Sequence, residues 1–294
     1  RGRLIDFREH LDTYDIAGST FDKRLRGVKA MVRYWIDAEL CARVTYDDLA
    51  RVKQKNEPIE DRVWLTPKQC QKVLEAALRH DREMVERKSG TALRFPSIAP
   101  FTMYVLLSGA RASEARALDW SHVDLDALNV NLEKVGVVTV PIAVSKTKKR
   151  REIGLQETPS LRRLLRALQL QSGGAKGPVW DLTEWQVKHS RYRMIDEYGS
   201  PEHSLQQLRV TCDSYLNNSP GIYGGAAAFM AGKRLGHSVA ISEKYYAGQI
   251  RGISSELRTL EEVLGIEKQC DQIIRSVTDA SRGRASVSRI AASK

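Results

Sequence analysis

The sequence of 294 residues is long enough for one large domain or two modest ones, and it can bury a sizeable core. Its 42% hydrophobic and 28% charged residues, with no apolar run approaching ~18 residues, exclude a membrane-spanning chain and suit a soluble globular one. Lys and Arg number 47 against 36 acids, a net charge of +11, which favours a polyanionic partner such as DNA or RNA.

Helical segments are expected to fill residues 1–57. The clearest runs from about Ser19 to Leu40, where Phe21, Leu25, Val28, Val32, Trp35 and Ile36 recur at helical spacing behind a Ser19–Asp22 cap. Another face carries Lys23, Arg26, Lys29 and Arg33, either a solvated face or one that tracks phosphates. Residues 58–64 fall in a polar stretch with Pro58 and no apolar period, which reads as a linker. A second domain is expected over 65–265. It opens on a helix with Thr66 as cap, Pro67 at its first position, and Val73, Leu74, Ala77 and Leu78 inside. From Asn129 to Leu155 the period shortens, and the runs VGVVTV, IAV and EIGL predict a small antiparallel sheet. Helices return after Pro159. Residues 266–294 should hold a short helix, Ile266 to Ile274, and then a mobile Ser/Arg/Ala-rich end. The expected fold class is therefore mainly α with a small antiparallel sheet.

Four segments carry chemistry. In SGARASEARALDW, Arg111 follows a turn containing Gly109 and precedes Glu114 by one helical turn, which by itself suits an exposed ion pair. In SKTKKRREIGL, five of the six residues from Lys146 to Arg151 are basic (Lys146, Lys148, Lys149, Arg150, Arg151). Such crowded cations repel unless an anion lies near, so phosphate contact is the better account. In HSLQQLRVTCDSYL, Arg209 stands beside a stripe of Leu205, Leu208, Cys212 and Leu216, where an Arg ordinarily snorkels to the surface. In KRLGHSVAISEKYYAG, the Leu235-Gly236-His237 turn precedes Tyr245 and Tyr246, a pair that in most helices serves packing.

Taken in order, these segments resemble the tyrosine recombinase (phage integrase) family over about residues 65–250, and more faintly over the Ser19–Leu40 helix. The resemblance matches Gly109 to Glu114 with the family's first arginine motif, and Lys146 to Leu155 with its basic hairpin, Gly154 standing where Pro is usual. Gln206 to Arg209 aligns with the His-x-x-Arg box, Leu235 to Ser238 with Leu-Gly-His-Ser, and Tyr246, nine residues beyond His237, with the nucleophile. Gln206 replaces the usual His; a shifted alignment would give that role to His203.

The resemblance implies a helical core-DNA-binding domain and a catalytic domain that close on double-stranded DNA, and self-association, as a tetramer on two sites. It implies cleavage and rejoining through a 3′-phosphotyrosyl link, with no cofactor, metal or ATP. Arg111, Lys146, Arg209, His237 and Tyr246 would be catalytic, Glu114 supporting, and Gln206 or His203 orienting or accepting a proton. Lys23, Arg26, Lys29, Arg33, Lys148, Lys149, Arg150 and Arg151 would contact DNA. A type IB-like topoisomerase and a catalytically impaired DNA-binding protein are the alternatives. The four cysteines form no Cys-x-x-Cys pair and no charged-then-apolar leader opens the sequence, so a reducing cytoplasm, close to the nucleoid, is the expected setting.

Overall fold

The computed structural model describes residues 2–41, 43–55, 63–86, 98–174, 176–240 and 250–292, with side chains described up to residue 280. Two compact units divide the chain, Arg1–Glu60 and Asp61–Lys294.

The first unit holds α1 (Gly2–Asp12), α2 (Gly18–Asp37) and α3 (Tyr46–Arg51). Phe21 and Leu25 of α2 are buried with Leu4, Leu11, Leu49 and Val52, and Val28, Val32 and Ile36 pack at the edge of that cluster. Two details differ from expectation. Ala17, which has no side-chain oxygen to offer, occupies the N-cap of α2. Asp22 accepts instead from the backbone N–H of Lys55 at 2.8 Å. Trp35 is 39% exposed, although Val32 and Ile36 of the same turn pack on the core. Thr45 caps α3 with Asp48 returning the bond to its backbone, a reciprocal capping box.

The second unit begins with α4 (Pro67–Glu86). Thr66 Oγ1 accepts from the Gln69 N–H while Gln69 Oε1 accepts from the Thr66 N–H, so two orphan donors of the first turn are satisfied. Val73, Leu74, Ala77 and Leu78 lie inside, as their spacing requires. Helix α5 (Ile98–Ser108) is buried along every residue, so it forms the centre about which the unit packs. After the short α6 (Ala112–Arg116) come β1 (Val123–Asp124), β2 (Val137–Val140) and β3 (Arg151–Gly154). They pair antiparallel in the order β1-β2-β3, with Val138 opposite Val123 and Ile153, and Val140 opposite Arg151. The IAV run contributes no strand. It forms part of a turn closed by Val144 N–H and Ser145 N–H donating to Pro141 O.

The remaining described helices are α7 (Pro159–Gln171), α8 (Glu184–Asp196), α9 (Leu205–Asn218), α10 (Pro220–Tyr223), α11 (Ala227–Leu235), α12 (Leu260–Leu264) and α13 (Glu267–Ala292). The C-terminal segment departs from expectation: one helix of 26 residues replaces a short helix and a loose end. No proline interrupts 267–292 and Ala and Arg are frequent, so the backbone continues helical past the apolar anchors Cys270, Ile273 and Val277. Cys41, Cys70, Cys212 and Cys270 are free thiols. No described helix is long and apolar enough to cross a membrane.

Candidate functional site

The first arginine stands where α5 ends. Gly109 turns the chain with φ +64°, and a Cβ there would lie 3.0 Å from both Cys212 Sγ and a Leu235 methyl, so the turn requires glycine. Arg111 follows in an extended conformation and α6 starts behind it. Glu114, one turn on, accepts from the Arg111 backbone N–H at 2.9 Å and from Arg111 Nη1 at 2.9 Å. The predicted pair therefore exists, but its carboxylate is buried rather than exposed. Burial alone would raise the Glu114 pKa. The hydrogen bonds and charge of Arg151, followed by those of Arg111, outweigh it and hold the carboxyl at about 2.

Arg151 corrects the sequence reading. Expected among the DNA contacts of the hairpin, it is instead buried, with a side chain only 5% exposed. As the first residue of β3 it points inward and presents its fork to Glu114, Nη2 to Oε2 at 2.6 Å and Nη1 to Oε1 at 3.1 Å. Its Nε donates to Arg234 O at 3.0 Å. The rest of the basic run does lie on the surface. Lys146, Lys148, Lys149 and Arg150 are exposed on the 141–150 connection between β2 and β3, and Arg150 pairs with Glu152 at 3.0 Å.

Arg209 also departs from the behaviour of an Arg at the edge of an apolar stripe. It is 1% exposed, the largest of the fully buried side chains. Nη1 donates to Gly109 O at 2.6 Å and Nη2 to Leu235 O at 2.7 Å. One flat guanidinium thus ties the Arg111 turn to the end of α11, two residues before His237. Gln206 sits exposed one helical turn before Arg209. His203 precedes the N-cap Ser204 and is buried, and that burial lowers its pKa. Its Nδ1 lies 2.9 Å from Pro201 O, an atom that only accepts, so Nδ1 is assigned the hydrogen.

His237 is placed by the end of α11. Gly236 adopts the left-handed conformation at φ +78°, and both Gly236 N–H and His237 N–H return to Gly232 O. A Cβ on Gly236 would come within 2.9 Å of Arg151 Cδ, so this turn too is closed to larger residues. The imidazole is 3% exposed and its Nε2 lies 3.0 Å from Asp213 Oδ2.

Asp213 and Arg234 were missed in the sequence. Asp213 follows Arg209 by one helical turn, and an acid on the same helix as the apolar Leu208, Cys212 and Leu216 was the available signal. Arg234 is buried and gathers carbonyls, donating to Gly154 O at 2.6 Å and to Leu107 O at 2.9 Å. Next to α6 a cavity of ≈ 290 Å³ is lined by Arg116 of α6, Glu184, Lys188 and Arg191 of α8, Ser204 at the N-cap of α9, and Leu205.

In the first unit, Lys23, Arg26 and Arg33 are exposed, whereas Lys29 is partly buried with Nζ donating to Val52 O at 2.9 Å. Arg26, Lys29, Arg33 and Lys53 line a groove of ≈ 560 Å³. Tyr245 and Tyr246 lie outside the described residues. Among the described residues no group of three His, Cys, Asp or Glu could hold a metal ion.

A scan against family models and a search of curated proteins found no match. Solved structures do match. The XerH site-specific recombinase in a post-cleavage complex with palindromic difH substrate aligns with TM-score 0.57 and 15% identity, over 82% of this chain and 67% of that one. The Tn1549 transposon integrase in complex with transposon right end DNA gives 0.54 and 18%, over 84% and 80%. A lambda integrase dimer bound to a COC′ core site gives 0.50 and 15%, over 86% and 98%. The mainly helical unit with its three-stranded antiparallel sheet accordingly has the fold of the tyrosine recombinases.

Proposed function

We propose that this chain is a site-specific DNA recombinase that cleaves and rejoins double-stranded DNA through a 3′-phosphotyrosyl intermediate. The observation that carries the reading is the Arg209 guanidinium, bonded at once to Gly109 O and Leu235 O, because it draws three separate sequence motifs into one site. The DNA-bound recombinases and integrases that share the fold support the same substrate class.

In this reading Arg111 and Arg209 clamp the nonbridging oxygens of the scissile phosphate, with His237 as a further donor. Flat guanidinium forks match that geometry, and losing one such donor commonly lowers a rate ~100- to 1000-fold. Tyr246 Oη attacks phosphorus and the bond to the 5′ oxygen breaks. An unperturbed phenol with pKa ~10 is ionised about one part in a thousand at pH 7, a deficit of ~4 kcal/mol that the clamped cations reduce. Gln206 cannot take the phenol proton, although its carbonyl can orient the hydroxyl. His203, with its hydrogen on Nδ1 and a lone pair on Nε2, or a water molecule receives the proton. Lys146, on the exposed 141–150 connection, protonates the departing 5′ oxygen. The phosphotyrosyl link conserves the bond energy, so rejoining calls for neither ATP nor metal.

Double-stranded DNA is then the partner. The cationic groove of the first unit and the exposed Lys148, Lys149 and Arg150 follow its phosphates, and exchange between two duplexes calls for self-association, as a tetramer on two sites. Gln206 favours one rival, a protein of this fold that binds DNA without cutting it. Nicked suicide substrates drawn from DNA flanking the gene decide the matter. A covalent adduct lost in Tyr246→Phe and kept in Tyr245→Phe is the expected result. Sequence-specific binding without any adduct from the wild type would overturn the enzymatic reading.

A further inference from the structure

A buried carboxylate, Asp213, lies against His237 and, among the described residues, touches none of the groups proposed to meet the phosphate except that ring. Asp213 lies on α9 one turn after Arg209, and its side chain is fully buried. Burying a carboxylate is costly unless donors meet both oxygens. Here they do: Asn217 Nδ2 donates to Oδ1 at 2.9 Å, and His237 Nε2 stands 3.0 Å from Oδ2. Asn217 Nδ2 is also 2.9 Å from Asp213 O, so the carboxylate is held from behind by its own helix.

The placement is selective. Arg209 and Asp213 share one face of α9, and each grips one end of the same three-residue turn. Arg209 holds Leu235 O and Asp213 holds the His237 ring. A carboxylate only accepts, so the hydrogen of this contact belongs to His237 Nε2. The other ring nitrogen, Nδ1, has Ser238 O at 3.4 Å.

We propose that Asp213 is a positioning residue for His237: its buried carboxylate accepts from Nε2–H and holds the ring in register with Arg209. The inference rests on the recombinase reading, since it assigns His237 to phosphate. Asp213 touches neither phosphate nor tyrosine and acts only through His237.

That last feature supplies the test. Single-turnover cleavage of a suicide substrate is compared for wild type, Asp213→Asn, His237→Ala and the double variant, with DNA affinity and thermal midpoint measured alongside. Asp213→Asn should cleave ~10- to 100-fold more slowly, the usual loss when the partner orienting a histidine is removed. In the His237→Ala background the same change should alter the rate by less than about twofold, because its target is gone. Wild-type cleavage by Asp213→Asn, or losses that multiply in the double variant, would overturn the proposal. Should Asp213→Asn fail to fold, ring-nitrogen NMR of histidine-labelled wild type decides. A protected Nε2–H signal assigned to His237 is expected, and an unprotonated Nε2 refutes the pairing. If the wild type forms no adduct at all, the recombinase reading falls, while that ring signal still reports on the pairing itself.

Discussion

Replacing Glu114 by Gln should unsettle both the fold and the proposed phosphate clamp. The carboxylate accepts four hydrogen bonds, two from Arg111 and two from Arg151, and no other acceptor for the Arg111 backbone N–H is described. A Gln amide turns one of those acceptors into a donor facing donors, and it leaves two guanidiniums without their shared counter-charge. Breaking a buried pair in this way costs about 3–5 kcal/mol. The depressed pKa gives a similar figure, since a carboxyl at about 2 against an ordinary value of 4.5 corresponds to about 3 kcal/mol. For a unit of this size that lowers the thermal midpoint by roughly 6–12 °C. The sign with pH follows from the depression. The contribution is complete above pH 4.5, the unfolded value, and is lost as pH falls through about 2, the folded one. Urea unfolding of wild type and Glu114→Gln between pH 7 and pH 3 measures it, and the gap should shrink by roughly 2 kcal/mol by pH 3. A variant within about 0.5 kcal/mol of wild type at pH 7, or a gap indifferent to pH, refutes the reasoning.

Three further outcomes are expected. Lys149→Ala should weaken DNA binding and reduce the slope of log affinity against log salt by roughly 0.9, the signature of one lost phosphate contact. Arg151→Ala should leave that slope unchanged and lower the unfolding midpoint, because its partners are Glu114 and Arg234 O; filter-binding titrations over a salt series and thermal melts separate the two. Glu261, buried at the start of α12, has a pKa raised by that burial to about 7 from 4.5, so its contribution to stability is present below pH 4.5 and is lost as pH rises through 7. Glu261→Gln keeps an oxygen for the Ser160 N–H, which Glu261 Oε1 accepts at 2.8 Å, and should be more stable than wild type at pH 8 by about 1–3 kcal/mol, with the advantage gone by pH 4 in urea titrations.

What the sequence made legible was local. Thr66-x-x-Gln69 with Pro67 encodes a helix start within four residues, and Leu235-Gly236-His237 encodes a helix end, because both rest on backbone bonds between near neighbours. Gly109 and Arg111 with Glu114 belong to the same class. The destinations of the arginines were not legible. Arg150 and Arg151 are adjacent and chemically identical, yet strand alternation sends one to Glu152 at the surface and the other to Glu114 inside. Without the register of β2 and β3, nothing in a basic run distinguishes them. Arg209 likewise reads as a surface residue until Gly109 O and Leu235 O, far away in sequence, are placed beside it. The same holds for Asp213, whose meaning lies in a histidine 24 residues on. The extent of α13 and the turn at 142–144 show the complementary error, since short apolar runs and polar ends carry little period of their own.

The two arginines proposed to clamp the phosphate are each oriented by described hydrogen bonds. The bonds that orient Arg111 come from Glu114, a carboxylate that also serves Arg151, so part of its charge is already answered while its side chain stays 22% exposed. Two of the bonds that fix Arg209 go to neutral carbonyls, which set the plane of the guanidinium. Fixed dipoles of this kind act most strongly in a site from which water is excluded, because little reorganisation remains to be done when charge develops. A lysine could not reproduce the arrangement: its single ammonium has no rigid fork with which to span Gly109 O and Leu235 O in one plane. Arg209 therefore serves two purposes with one group, closing the turn that presents Arg111 and aligning the turn that presents His237. That coupling is why the site can be assembled from three motifs on separate elements and still hold a common geometry.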